Sequence, residues 1–237
     1  MDRRCIVVCD SGVGGLNLFN KLATKLKGQI LLYYADFDNL PYGEKSKAEL
    51  EEIARKNYDM FMQFSPKAVV FACNTLSVNT LSDKFYGGAK IYRVLPKVKF
   101  DKRGLLLCTE ATAKSEYVKN LKTENPLLDV LPLNGLANEV EKSLFLGEQI
   151  DVTTRFETVS KNYDFVTLGC THYSLIEKDL RKIFPSSEFL SGENETFDKI
   201  VNFVTTFDTD DYQCEVGFIG KGANKVKSLY FKGFLWK

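Results

Sequence analysis

Short, nearly continuous apolar runs alternate with amphipathic stretches along the whole chain. Residues 5–9 (CIVVC), 30–35 (ILLYYA), 68–73 (AVVFAC), 104–108 (GLLLC), 128–133 (LLDVLP) and 164–169 (DFVTLG) are bounded by turn or charged residues. Each reads as a buried strand. Helical patterns lie between them. Leu16, Phe19, Leu22 and Leu26 share one face, and Gly28 stands where a C-cap would close that helix. Ser46-Lys47-Ala48-Glu49 has the form of a capping box, and Leu50, Ile53, Asn57, Phe61 and Phe64 follow at near-helical spacing. Such alternation predicts an α/β fold, a parallel sheet with helices on both faces. Ligands of such sheets sit outside the carboxyl ends of the strands.

The pattern also repeats. Cys9-Asp10 and Cys108-Thr109 end similar strands 99 residues apart. Phe71-Ala72-Cys73-Asn74-Thr75 and Leu168-Gly169-Cys170-Thr171-His172 end another such pair, 97 apart. Two pairs at nearly one offset predict two α/β halves of similar topology, with a boundary near Pro96 in the polar stretch Lys97 to Arg103. The expected division is a first domain over 1–95 completed by 192–237, and a second over 96–191.

Composition narrows the choice of partners. The 237 residues are 44% hydrophobic and 27% charged, which is ordinary globular usage and excludes disorder as the main state. With 32 basic and 31 acidic residues the net charge is +1, so no bulk field attracts nucleic acid or an anionic membrane. No apolar run approaches the roughly 18–20 residues of a membrane span. The apolar start CIVVC meets Asp10 after five residues, short of the about 7–15 of a secretory core. A cytoplasmic location is expected, where the six cysteines stay reduced thiols. None is paired as Cys-x-x-Cys and His172 is the single histidine, so no zinc or histidine-rich metal site is expected.

Cys73 and Cys170 each stand where an apolar strand gives way to polar residues and a helix. A thiol there is aimed at the open end of the sheet, and the helix start favours its anionic form. Asn74, Thr75 and Thr171 can cap a helix or donate to a bound carboxylate. Two such thiols facing one ligand from opposite sides could take a proton from one face of a carbon and return one to the other. That is inversion of a stereocentre. Cys5, Cys9, Cys108 and Cys214 read instead as small buried hydrophobes. Asp10-Ser11-Gly12-Val13-Gly14-Gly15 is a Gly-rich turn that lacks both the dinucleotide fingerprint and the Walker ending. Its glycines are expected to admit a small anion to the backbone, with Asp10 at the cleft. In the polar loop 36–43 (DFDNLPYG), Pro41-Tyr42-Gly43 could offer backbone amides or the Tyr42 hydroxyl to a ligand, or simply form a rigid turn. Thr112, in Thr109-x-x-Thr112, is a hydroxyl donor or a helix cap. His172, two residues past Cys170, can hold a proton near that thiol.

Together, DSGVGG (10–15), Asp36 with the PYG loop (36–43), ACNT (72–75) and GCTHY (169–173) resemble glutamate racemase, of the cofactor-independent aspartate/glutamate racemase superfamily. The resemblance runs in order through most of the chain and is weakest at 97–103 and after about 190. It implies two α/β domains with the active site in the cleft between them. Cys73 would take the proton from D-glutamate and Cys170 from L-glutamate, assisted by Asp10 and His172 respectively. Asp10, Ser11, Tyr42, Gly43, Asn74, Thr75, Thr112, Thr171 and His172 would meet substrate. Aligning the prolines of Leu131-Pro132-Leu133 places Glu139 at an auxiliary acidic position. The implied partners are L- and D-glutamate and a second copy of the chain in a homodimer; no cofactor or metal is implied, and the product would supply D-glutamate for bacterial peptidoglycan. An α-proton is weakly acidic, and a positioned acid or base contributes about 10²- to 10⁴-fold. Fixed dipoles at the substrate carboxylate must supply most of the remainder. A racemase for another acidic amino acid and a cleft that binds without turnover are the competing readings.

Overall fold

The computed structural model describes residues 4–80, 88–205 and 212–232. The outer ends of the expected first domain, Met1 to Arg3 and 233–237, lie outside them. The chain folds as two parallel sheets. In order, the first part runs β1 (Ile6–Asp10), α1 (Leu16–Lys25), β2 (Ile30–Ala35), a 3-10 turn (Tyr42–Glu44), α2 (Lys47–Met62), β3 (Ala68–Phe71), α3 (Asn74–Asn79) and β4 (Lys90–Arg93). Next come β5 (Gly104–Cys108), α4 (Glu110–Ala113), α5 (Glu116–Glu124), β6 (Leu128–Pro132), α6 (Leu136–Leu146), β7 (Phe165–Gly169), α7 (Thr171–Leu175), α8 (Glu177–Ile183) and β8 (Glu188–Leu190). The chain then returns through α9 (Glu193–Thr205), β9 (Glu215–Ile219) and α10 (Ala223–Phe231).

The first sheet has the order β4-β3-β1-β2-β9 and the second β6-β5-β7-β8. Reversing the second gives β8-β7-β5-β6, the same arrangement as β4-β3-β1-β2. The repeat in the sequence is therefore a repeat of topology, with β9 added at one edge. Ile6 sits opposite Leu31 and Ala68, and Gly104 opposite Leu128 and Phe165, so the central strands end level within each sheet. Helices cover both faces. One face of the first sheet buries Leu16, Phe19 and Leu22 of α1 together with Ile200 of α9 and Leu229 of α10. The other buries Leu50, Ile53 and Phe61 of α2. No helix among the described residues is long and apolar enough to cross a membrane.

All six apolar runs contribute strands, and the Ser46 box closes as expected. Ser46 Oγ accepts from the Glu49 amide at 3.3 Å, and Glu49 Oε2 accepts from the Ser46 amide at 2.8 Å. Two boundaries differ. The first helix ends at Lys25, before the extended Leu26, and Gly28 takes its positive φ of 61° in the next turn. Phe64 lies beyond α2 and is exposed. The apolar-run criterion missed β4, β8 and β9. These are edge strands of lysines, glutamates and half-buried residues (KIYR, EFL, EVGFI), which face solvent on one side and need no continuous apolar run.

Candidate active site

The carboxyl ends of β1, β2 and β3 in the first sheet and of β5, β6 and β7 in the second converge on one pocket. Ser11 enters it after β1, Leu40 to Glu44 after β2, and Cys73 and Thr75 after β3. From the second sheet come Thr109 and Glu110 after β5, Leu133 to Gly135 with Ala137 and Asn138 after β6, and Cys170 and His172 after β7. Each of these six strands thus delivers one segment, as ligand sites at strand ends require. Cys73 and Cys170 occupy the N-cap positions of α3 and α7 and are both buried.

The two thiols have unlike surroundings. Burial pushes the Cys73 thiol well up, and the Asp10 carboxylate and Cys170 push it further. The Leu76 amide and the Ser11 hydroxyl pull the other way. Asp10 is itself fully buried, and burial raises its carboxyl above the usual range against the pull of His172. It accepts from the Gly12 amide at 3.0 Å and from the Thr171 hydroxyl at 3.1 Å. Beside Cys170, His172 Nδ1 lies 3.9 Å from the sulfur. Its Nε2 is 2.6 Å from Glu141 Oε2. Burial opposes the imidazolium, but hydrogen bonds to Cys170 and Glu141 outweigh it and hold His172 well above its ordinary value.

Not every expected residue reaches the pocket. Ser11, Tyr42, Gly43, Thr75, Cys73, Cys170 and His172 line it. Asn74 turns away and donates to the Val94 carbonyl at 3.1 Å. Thr171 is committed to Asp10, so both stand one layer back. Thr112 also sits behind the wall, donating to Thr75 Oγ1 at 3.2 Å and accepting from Thr109 at 3.0 Å. Thr109, not Thr112, caps α4. The Tyr42 hydroxyl donates to Asp36 at 2.6 Å.

Glu139 is not at the site. It is 2.5 Å from Arg155, and its side chain is 46% exposed. The carboxylate beside His172 is Glu141, two residues on, which also accepts from the Val13 amide at 3.0 Å. Proline alignment missed it by about half a helical turn, which on α6 exchanges a solvent face for a buried one. A legible signal existed: Glu141 adjoins the Leu136-Val140-Leu144 stripe of the same helix.

The glycines of 10–15 make room for side chains. A Cβ on Gly12 would come within 2.5 Å of Glu141 Oε2, and one on Gly14 would strike the Thr171 hydroxyl. They admit side chains of the second half. Gly43 does likewise, where a Cβ would stand 2.8 Å from that of Thr109. The pocket is closed by direct contact between halves.

Comparison with known proteins places this arrangement. No family model matches the chain. The glutamate racemase of Campylobacter curvus is 31% identical over 220 residues, 83% of this chain and 82% of that protein. Among solved structures, glutamate racemase from Campylobacter jejuni superposes with a TM-score of 0.78 at 22% identity, covering 97% of both chains. The Francisella tularensis glutamate racemase, solved in complex with D-glutamate, gives 0.77 at 20% identity, covering 98% of this chain and 95% of that one. Identity of that extent over more than four fifths of both sequences makes this chain a member of the glutamate racemase family.

Proposed function

We infer that this protein interconverts L- and D-glutamate by moving a proton at Cα between two thiols, forming D-glutamate for peptidoglycan. The single observation that carries the mechanism is that Cys73 and Cys170, delivered by different sheets, line one pocket. In the L-to-D direction the Cys170 thiolate takes the α-proton. The C–H bond breaks, an S–H bond forms, and the electron pair left on Cα spreads into the adjacent carboxylate. Cys73, kept protonated by burial and by Asp10, then gives its proton to the opposite face. The enzyme is left with the proton on Cys170 and a thiolate at Cys73, ready for the reverse passage.

In this reading Asp10 positions and polarises Cys73, and His172, held by Glu141, does so for Cys170. Ser11, Tyr42, Gly43, Thr75 and Thr109 surround the substrate, while Asn74, Thr112 and Thr171 act through the groups they hold. Fixed hydroxyls in a closed pocket stabilise the growing negative charge more strongly than water can. The cleft separates two lobes, 1–95 with 192–237 and 96–191. That division is supported by β9 lying beside β2 and by α9 and α10 packing into the first core. The six thiols suit a reducing cytoplasm.

The experiment is racemisation of each pure enantiomer in D₂O. Product of the opposite hand should carry deuterium at Cα, because the proton delivered comes from the other thiol and not from the substrate. Inversion that keeps the original hydrogen would falsify the two-thiol mechanism. A kcat/KM for aspartate above that for glutamate would move the substrate assignment.

A further inference from the structure

Asn57 stands in a place where the helical pattern calls for an apolar residue. Leu50, Ile53 and Phe61 on the same face of α2 are buried in the core, and Asn57 is buried with them. A buried amide needs partners, and these two are specific. Asn57 Nδ2 donates to Asp36 Oδ2 at 3.0 Å and to the Tyr42 hydroxyl at 3.2 Å. Asp36 is 1% exposed. Its carboxylate collects four side chains: Tyr42 at 2.6 Å, Asn57, Asn39 at 2.9 Å and Tyr34 at 3.3 Å. That matches the roughly four acceptor sites a carboxylate offers. Its backbone amide donates to the Asp10 carbonyl at 3.0 Å, tying the cluster to the strand end that carries the active-site aspartate.

The Tyr42 phenol is therefore turned into the protein, and what the Tyr42–Gly43 turn brings to the pocket is its backbone and ring. The other wall of that turn is Thr109 of the second half, against which Gly43 packs with no room for a Cβ. The turn is clamped between Asp36 and Thr109.

We propose that Asn57 and Asp36 are positioning residues which, through the Tyr42 hydroxyl, hold the Tyr42–Gly43 turn against Thr109 in the place where the pocket wall they form together meets the substrate. This rests on the racemase reading of the pocket. The turn touches substrate but no reacting atom, so its displacement weakens ground state and transition state alike. Such a loss raises KM and leaves kcat in place. The titratable groups facing Asp36 are Tyr34, Tyr42 and Cys9, and burial holds all three above their usual ranges, so they stay neutral.

The test is steady-state racemisation by three variants beside the wild type. Asn57→Leu and Tyr42→Phe each remove a donor to a charged group, so KM should rise by about tenfold with kcat within about twofold. The double variant should fall short of the product of the two, because both act on one carboxylate. Asn57→Asp sets a second carboxylate against Asp36. Its KM penalty should shrink as pH falls, when a proton on the pair restores a donor. A purely structural defect would lower the melting temperature without that pH-dependent recovery. Unchanged KM in Tyr42→Phe, which deletes only a hydroxyl and should fold, overturns the proposal, as does an Asn57→Asp penalty that is flat with pH. An inactive wild type would overturn the racemase reading as well, whereas an active one with unmoved KM overturns this proposal alone.

Discussion

Cys73 and Cys170 occupy matching places in matching sheets, each capping a short helix after the third strand of its half. Their neighbours do not match. Cys73 faces a buried carboxylate and a serine hydroxyl, whereas Cys170 faces an imidazole held by a second buried carboxylate. The repeated fold supplies two thiols at symmetric positions, and the side chains around them then break the symmetry. The proposed two-thiol mechanism gives the asymmetry a chemical use: one thiol must hold a proton while the other lacks one, and burial, with the Asp10 carboxylate, raises the Cys73 thiol. Because the two enantiomers have equal free energy, kcat/KM is the same in both directions, so any change at either thiol must appear in both.

The largest effects come from removing a thiol. Cys73→Ala and Cys170→Ala should each lower racemisation of both enantiomers by about 10³-fold or more, followed by polarimetry. Full activity in either variant would erase the equivalence of the two positions. Next in size is the Cys170 side. Glu141→Gln removes the charge that holds His172 as an imidazolium and should cost about 10- to 100-fold in kcat/KM. Glu139→Gln, altering an exposed pair, should stay within about twofold. A reversal of that ranking would return the auxiliary acidic role to Glu139.

The Cys73 side should show itself in the pH profile. Catalysis needs one thiol and one thiolate, so activity falls once Cys73 also ionises, at alkaline pH. Asp10→Asn removes a charge that raises Cys73, so the alkaline limb should move down by about 1 pH unit. A limb that stays in place would deny that Asp10 sets this thiol's proton. The smallest effect concerns stability. The folded pKa of His172 lies above its unfolded value of 6.5, so its contribution is complete below pH 6.5. It is lost as pH rises through the folded value, at about 1.4 kcal/mol for each unit of elevation. Urea midpoints should fall over that window in the wild type and stay flatter in Glu141→Gln.

Strands β1, β3, β5 and β7 were legible because burial on both faces demands continuous apolar runs, the half-buried β2 and β6 because their runs are largely apolar all the same, and the α2 start because Ser46 and Glu49 answer each other locally. The edge strands β4, β8 and β9 were not, because half-exposed strands carry no such demand. At the site, the thiols and His172 could be read from where they fall after a strand. Glu141 was legible only as a position beside the apolar stripe of α6; its role was not, since its partners Val13 and His172 lie on other segments. Thr109 passed for the start of a motif ending at Thr112, though it is Thr109 that faces the pocket.

Local pattern carried the fold class, the internal repeat and the two thiols, because strand burial and strand-end position depend on neighbours within a few residues. Only the tertiary structure decided which groups surround each sulfur. Packing within the second half set Glu141 behind His172, packing within the first turned Tyr42 inward onto Asp36, and the docking of the halves made Gly12 and Gly14 spaces for side chains from the opposite lobe. Contacts between the halves join residues as much as 161 apart along the chain, as between Thr171 and Asp10. Coulomb and hydrogen-bond energies depend on distance in space, and no spacing along a sequence records that distance.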